Sequence, residues 1–260
     1  MRVGRSFRSV PFLSAVDVRD TGVPLRTMAA VIALVCAMPL ELRALRRQMR
    51  LRKTGPGYVG RIGDREVVAT VTGVGTALAR AATIRLLDAV EVKWVIVVGI
   101  AGGIGNQIPI GTLVLPHLVV DGADGSVRRP TPLRVGTPYG KLWTTDELIL
   151  DPARHADLQL DGVLALDMET AAVAKVCDER GVPWSVVRAI SDRTSDGTVD
   201  GEIFGLTHPD GSANLPAVAR YLLRHPGALP RLDRLAKDSK LAAKHAADAA
   251  VRAVSAAINS

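Results

Sequence analysis

The sequence predicts an α/β fold: a largely parallel sheet with helices on both of its faces. Two observations carry this. Continuous runs rich in Val and Ile recur along the chain, as in strands buried on both faces. Segments with apolar residues at helical spacing alternate with them. The first run, "MAAVIALVCAM" (28–38), leads into "PLELRALRRQM" (39–49), which sets Leu42, Leu45 and Met49 on one side and Arg43, Arg46 and Arg47 on the other. "REVVATVTG" (65–73) reads as a strand and 74–90 as a helix. "KWVIVVGIAGGIG" (93–105) is a buried strand that ends in a glycine-rich turn, and 108–125 reads as short extended segments. "GVLALDMETAAVAKVCDERGVP" (162–183) holds a strand and a helix, stopped at Gly181 with Pro183 behind it. "WSVVRAISD" (184–192) is the next strand. Segment 193–214 is turn-rich and reads as a flexible flap; the chain is helical again from Leu215, with a break at 225–230. The last helix, 231–258, is Ala-rich and basic; its apolar face is thin, and its charge reads as a solvated helix face rather than a nucleic-acid or membrane contact.

A chain of 260 residues suits one sizeable domain, or one domain with tails. The expected boundaries are a disordered or mis-started extension at 1–27, with Met28 a sensible first residue; a domain at 28–225; and a basic helical tail at 226–260. Apolar residues make up 48%, enough for a core, but aromatic residues only 3%, which argues against a protein that stacks nucleic-acid bases. The net charge of +7 and pI of about 9.8 come mostly from the two ends, so the middle need not face a polyanion. Cys36 and Cys177 lie in apolar runs and read as reduced core residues of a cytoplasmic protein. The apolar stretch 29–40 is too short to span a bilayer and runs on into a charged helix, so no stable membrane insertion is expected. The five histidines are scattered, without metal-ligand spacing.

Two glycine loops stand at the C-terminal ends of predicted strands. "GVGTAL" (73–78) has Leu78 where a dinucleotide fingerprint needs its third glycine, and "GIAGGIG" (99–105) lacks the Lys-Ser/Thr of a P-loop. No cofactor is expected. Taken alone the loops read as tight turns, yet the backbone N–H groups around Gly75, Ala101 and Gly102 stand where open sheets bind ligands. Three carboxylates also end apolar strands: Glu41, Glu169 and Asp192. Each has an ordinary explanation as a helix-terminal acid or turn cap. Together they gain weight from Arg188, which falls inside a strand that should be buried and therefore needs an anionic partner; Glu41 is the candidate.

"VCAMPLELRAL" (35–45), "GIAGGIG" (99–105), "ALDMETAAVAKVC" (165–177) and "VVRAISD" (186–192) resemble, in order, the motifs of the nucleoside phosphorylase superfamily, and most of all its methylthioadenosine/S-adenosylhomocysteine nucleosidase branch. The resemblance implies a three-layer α/β/α sandwich with a central, mostly parallel, mixed sheet, and cleavage of a purine nucleoside at its N-glycosidic bond. It implies that Glu41 activates water, that Arg188 helps hold that water, and that Asp192, oriented by Ser191, protonates the departing base. It also implies that Glu169, with Met168 beside it, binds ribose hydroxyls. These roles require a raised pKa at Asp192 and an ionised Glu169, with Asp167 left to cap the helix. A homodimer follows by analogy only.

The sequence departs from that pattern in three places. Ile100 replaces a serine in the glycine turn. The aromatic residue expected under the base falls near Leu148 and Ile149, in "TTDELIL" (144–150). The segment between the third and fourth motif groups is short. Hydrolysis is preferred to phosphorolysis, because "VIVVGIAGG" offers Val97 and Val98 where phosphorylases carry a phosphate-binding Arg; Arg43 keeps phosphorolysis open. Segment 208–238 is similar to hopanoid-associated phosphorylases, which brings in an adenosylated lipid as an alternative substrate. A non-catalytic nucleoside-binding protein and, third, a basic nucleic-acid-binding module complete the alternatives.

Overall fold

The structure, a computed structural model, describes residues 31–55, 57–63, 65–196 and 200–256. The expected extension at 1–27 and the start of the first strand lie outside the described residues. In chain order, β1 (Val31–Cys36) runs into α1 (Pro39–Gln48), and β2 (Arg52–Thr54), β3 (Gly57–Ile62) and β4 (Arg65–Val71) precede α2 (Thr76–Ala89). The long β5 (Val92–Gly103) is followed by β6 (Leu113–Val114), β7 (Leu118–Asp121), β8 (Val127–Arg128) and β9 (Lys141–Thr144). Then come α3 (Pro152–Leu160), β10 (Val163–Asp167), α4 (Thr170–Glu179) and β11 (Trp184–Arg193). A short α5 (Gly201–Phe204), α6 (Leu215–Arg224) and the 28-residue α7 (Leu229–Ala256) close the chain.

β5 organises the sheet. β1 and β11 flank it in parallel, β4 lies parallel outside β1, and the hairpin of β3 and β2 extends that edge antiparallel. At its far end β5 pairs antiparallel with β10, which continues through β9, β7 and β8. The sheet is thus mixed. The β2–β3 hairpin and α3 are additions to the sequence reading; Arg52, Lys53 and Arg61 break the apolar signal of an exposed edge strand and its half-buried neighbour.

Alternation along the central strands feeds two cores. Leu34, Ile96, Val98 and Ala189 point to one face, where Leu42 and Leu45 of α1 and Ala246 and Ala250 of α7 cover them. Val35, Val97 and Val186 point to the other, under Ala79 and Leu86 of α2 and Val173 and Cys177 of α4. Three layers result. α7 keeps the expected solvated basic face but corrects the expectation of a tail outside the domain beyond residue 225. Ala242, Ala243, Ala246, Ala247, Ala249, Ala250, Ala253 and Val254 are all buried. An alanine stripe looks thin by hydrophobicity, but its small side chains let the helix approach closely and join the same core as β1 and β5.

Candidate active site

The site forms where the sheet opens. One edge of β5 is covered by β11 from Val95 to Gly103. The other edge is held by β1 only as far as Val97, and β10 takes over at Gly102. The Ile100 peptide faces the gap between them, and side chains satisfy it there: its N–H donates to Glu41 Oε1 (2.8 Å) and its C=O accepts from Arg188 Nη1 (3.3 Å). A gap at the C-terminal ends of parallel strands is where open α/β sheets place ligands.

Glu41 enters from the first turn of α1. Its Oε2 accepts the N–H groups of Ala37 (2.8 Å) and Met38 (2.9 Å), half of a capping box. The helix-terminal and functional readings of this residue therefore hold together. Arg188 stands opposite Gly99 in the β5–β11 register. A Cβ at Gly99 would collide with both Glu41 Oε1 and Arg188 Nη1, so the missing side chain is what lets the guanidinium cross β5 into the gap. There Nη2 donates to Asp167 Oδ2 (2.5 Å), Glu169 Oε2 (3.1 Å) and Thr170 Oγ1 (3.2 Å), while Nη1 lies 3.6 Å from Glu41 Oε1. Arg188 Nε is buried with no partner among the described residues. The principal partner of Arg188 is thus Asp167 and not, as expected, Glu41, which is an ion-pair neighbour beyond hydrogen-bond reach.

Asp167 ends β10 and performs the capping expected of it, accepting the N–H of Thr170 at 3.2 Å and its hydroxyl. It also accepts from Thr144 Oγ1 at 2.6 Å, which fixes it for Arg188. Glu169 occupies the N-cap position of α4, yet its side chain turns away from the helix. Its Oε1 accepts the N–H of Gly75 at 3.1 Å, and Gly75 takes φ +104°, a conformation suited to glycine. Asp146 anchors the same loop through the Thr76 N–H (2.7 Å) and hydroxyl.

Farther along β11, the register slips between Ile190, opposite Ala101, and Asp192, opposite Gly102. Ser191 is the extra residue of this β-bulge, which takes Asp192 out of the alternation of Arg188 and Ile190. The carboxylate settles beside Gly102, where a Cβ would lie 3.4 Å from Oδ2, and Oδ1 accepts from Ser191 Oγ at 2.6 Å. Gly99 and Gly102 are three residues apart, so Asp192 stands about 10 Å along the strand from the Arg188 cluster.

Burial sets the charges. Three carboxyls surround one guanidinium, and Glu41, Asp167, Glu169 and Arg188 are all buried. Burial pushes Glu41 up, against the pull of Arg188 and three backbone N–H groups. It pushes Glu169 up to about 7, with Arg188 opposing and Asp167 and Glu41 reinforcing. This corrects the expectation of a plainly ionised Glu169: one cation cannot neutralise three buried anions. Arg188 resists its own burial because Asp167, Glu169 and Glu41 hold its charge, and its pKa rises. Burial also raises Asp192, over the opposing Ser191 hydrogen bond and with help from Asp196.

Hydrogen bonds therefore link Arg188, Glu169 and Gly75 of the expected set, with Glu41 joined to Arg188 through Ile100 and as an ion-pair neighbour, and Ser191, Asp192 and Gly102 form a second group beyond them. Met168 is half-buried between Asp167 and Glu169. Ala101 is packed in the core with Ile190. Leu148 is half-buried, whereas Ile149 packs with Ile104, Leu158 and Trp143 and passes its carbonyl to His155 Nε2 (2.6 Å). Among the described residues no side-chain hydrogen bond ties Met168, Leu148 or Ile149 to the carboxylates, and Ala101 meets that group only through its C=O, 3.4 Å from Ser191 Oγ. Arg43 is exposed, two residues and about 200° around α1 from Glu41. The residues sequence reasoning missed are Thr144 and Thr170; two threonines beside an aspartate at a strand end are the signal that points to them.

The sequence profile of the Phosphorylase superfamily matches residues 31–135 and 131–224, and the chain belongs to that family. Among characterised relatives, it is 28% identical over 198 residues to a 5′-methylthioadenosine/S-adenosylhomocysteine nucleosidase of Marinomonas sp. (strain MWYL1), covering 63% of this chain and 86% of the relative. Its fold matches that of the Neisseria meningitidis 5′-methylthioadenosine/S-adenosylhomocysteine nucleosidase in complex with methylthio-immucillin-A (TM-score 0.63, 20% identity, 87% of this chain and 99% of that one). It also matches the Helicobacter pylori futalosine hydrolase (TM-score 0.65, 18% identity, 88% and 98%). Among the described residues no helix is long and apolar enough to cross a membrane.

Proposed function

We propose that the protein hydrolyses the N-glycosidic bond of a purine nucleoside, with adenine as the leaving base. The observation that carries this reading is the convergence of Glu41, Glu169 and Arg188 at the sheet opening, with Asp192 farther along the same strand pair. Glu41 takes a proton from water as the water oxygen attacks C1′. The C1′–N9 bond breaks with its electron pair moving to the base, and the proton of Asp192 passes to N7. Burial raises the pKa of Asp192, which favours the protonated form this step needs. Glu169, held between Gly75 and Arg188, receives the ribose hydroxyls, and the buried carboxylates offset positive charge developing on the sugar. Arg188 Nε, unpaired among the described residues, is the donor that orients the attacking water.

Hydrolysis is favoured over phosphorolysis on electrostatic grounds. An ionised Glu41 about 4 Å from a phosphate charge costs about 4 kcal/mol at an effective dielectric near 20. Arg43 is exposed on the far side of α1 and does not offset it. The test is adenine release from methylthioadenosine, S-adenosylhomocysteine and adenosine, with and without phosphate. Phosphate-independent release, reduced roughly 10²–10⁴-fold in Asp192→Asn, is the expected result. Strict phosphate dependence moves the assignment to phosphorolysis. Tight binding without release makes the protein a nucleoside sensor.

A further inference from the structure

Helix α6 has no buried residue, yet half of its ten positions are apolar beyond alanine and proline. Its apolar arc is wider than the fold uses. Val218, Tyr221 and Leu222 are half-buried against the rest of the protein. Leu215, Ala219 and Leu223, four residues apart, form a second line that faces outward, with Leu215 72% and Leu223 85% exposed. Leu229, at the start of α7, adds 57% exposure just beyond the turn. Isolated exposed leucines are ordinary, but a line of them on a helix that contributes no buried residue is not.

The charge of this segment is mostly basic, with Asp200 and Glu202 reaching it from outside through Arg231 and His225. Between residues 215 and 241 six Lys and Arg residues meet two Asp. Arg220 and Arg224 flank the outward leucines on α6, and Arg234 and Lys240 follow on α7. All four are exposed, and none has an acidic partner among the described residues.

We infer that α6, with the turn that leads into α7, is a docking surface for an anionic lipid bilayer, with Leu215, Leu223 and Leu229 set into the interface and Arg220 and Arg224 against the headgroups. Leucines along one line with arginines beside them are the pattern of a helix lying in the plane of a membrane surface. A second copy of the chain fits less well. Two-fold pairing across this stripe would set each copy's unpaired arginines near those of the other. A nucleic acid would engage the cations and leave the leucines in water.

The loop that leads into α6 stands next to the site. In it, Pro209 O accepts the N–H of Val74 at 2.8 Å, and Gly211 packs on Met38, which precedes α1. Docking would thus hold the C-terminal ends of β1 and β4 close to the bilayer, whatever reaction the site performs.

The test is co-sedimentation of the purified full chain with vesicles of equal parts phosphatidylglycerol and phosphatidylcholine, and with vesicles of phosphatidylcholine alone. Binding to the anionic vesicles at least tenfold tighter than to the neutral ones, weakened by salt, is expected. The double variant L215D/L223D should lose that binding at least tenfold, with unchanged circular dichroism and unchanged turnover of a water-soluble nucleoside, because neither leucine supports the core or the site. Absence of sedimentation with either vesicle, equal binding to both, or unchanged binding by the double variant overturns the proposal. So does light scattering that finds a dimer in the parent chain and a monomer in the variant, which would assign the stripe to a second copy.

Discussion

At the scale of single residues, one guanidinium and three carboxyls share a space closed to water, and the protons decide which of them are charged. Glu169 titrates at about 7 against 4.5 for a free glutamate, and burial is the cause. The folded protein therefore holds a proton there that the unfolded chain releases between these two values. Stability from this source is whole below about pH 4.5, falls as pH rises through the window, and is gone above about 7. Glu169→Gln should flatten that part of the stability profile, read as the denaturant midpoint at a series of pH values; an unchanged slope would place the titration elsewhere. Much of this site was legible from residue type alone. An arginine in a Val-rich strand demands an anion, and acids at strand ends supply one. Which acid was not legible: Asp167 and Glu169 are two residues apart on the chain, and only the β10–α4 turn decides that both reach Arg188.

At the scale of elements, two backbone features of the central strand pair make the site. The first is Gly99, whose hydrogen leaves the channel through which Arg188 crosses β5. Gly99→Ala should destabilise the protein by about 1–3 kcal/mol, the range for overpacking a filled site. It should also reduce base release more than any conservative change of Ile100, since the new methyl group must separate Glu41 from Arg188. A fully active, fully stable Gly99→Ala enzyme would show that this channel is not needed. The second feature is the bulge at Ser191, which sequence patterning could not reveal. "VVRAISD" reads as plain alternation, and only the pairing of Asp192 with Gly102 in place of Gly103 betrays the extra residue. α7 was misread for a related reason. Hydropathy scores an alanine stripe weakly, whereas its value lies in the close approach it permits to β5, β11 and α1.

At the scale of the whole molecule, the change of partner along β5 opens the gap that the Arg188 cluster fills, and the proposed function divides its chemistry between two acids set about 10 Å apart along that strand. On the proposed reading Asp192 must keep its proton and Glu41 must lose one. Burial raises both pKa values. Activity should then fall as pH rises through the Asp192 value and as pH falls through the Glu41 value. The kcat/KM profile for a nucleoside should be a bell with its acid limb displaced upward from 4.5, the ordinary value for a glutamate. A profile flat on both sides would remove the acid–base roles. The sequence by itself determined the layered α/β class and the carboxylates and arginine of the site, because buried strands, amphipathic helices and costly buried charges leave marks in residue order. Only the tertiary structure decided the exchange of β1 for β10 on one edge of β5, the bulge that sets Asp192, and the proton count among the carboxyls. Those depend on which backbone edges meet and how far water is excluded, and both are properties of segments distant along the chain.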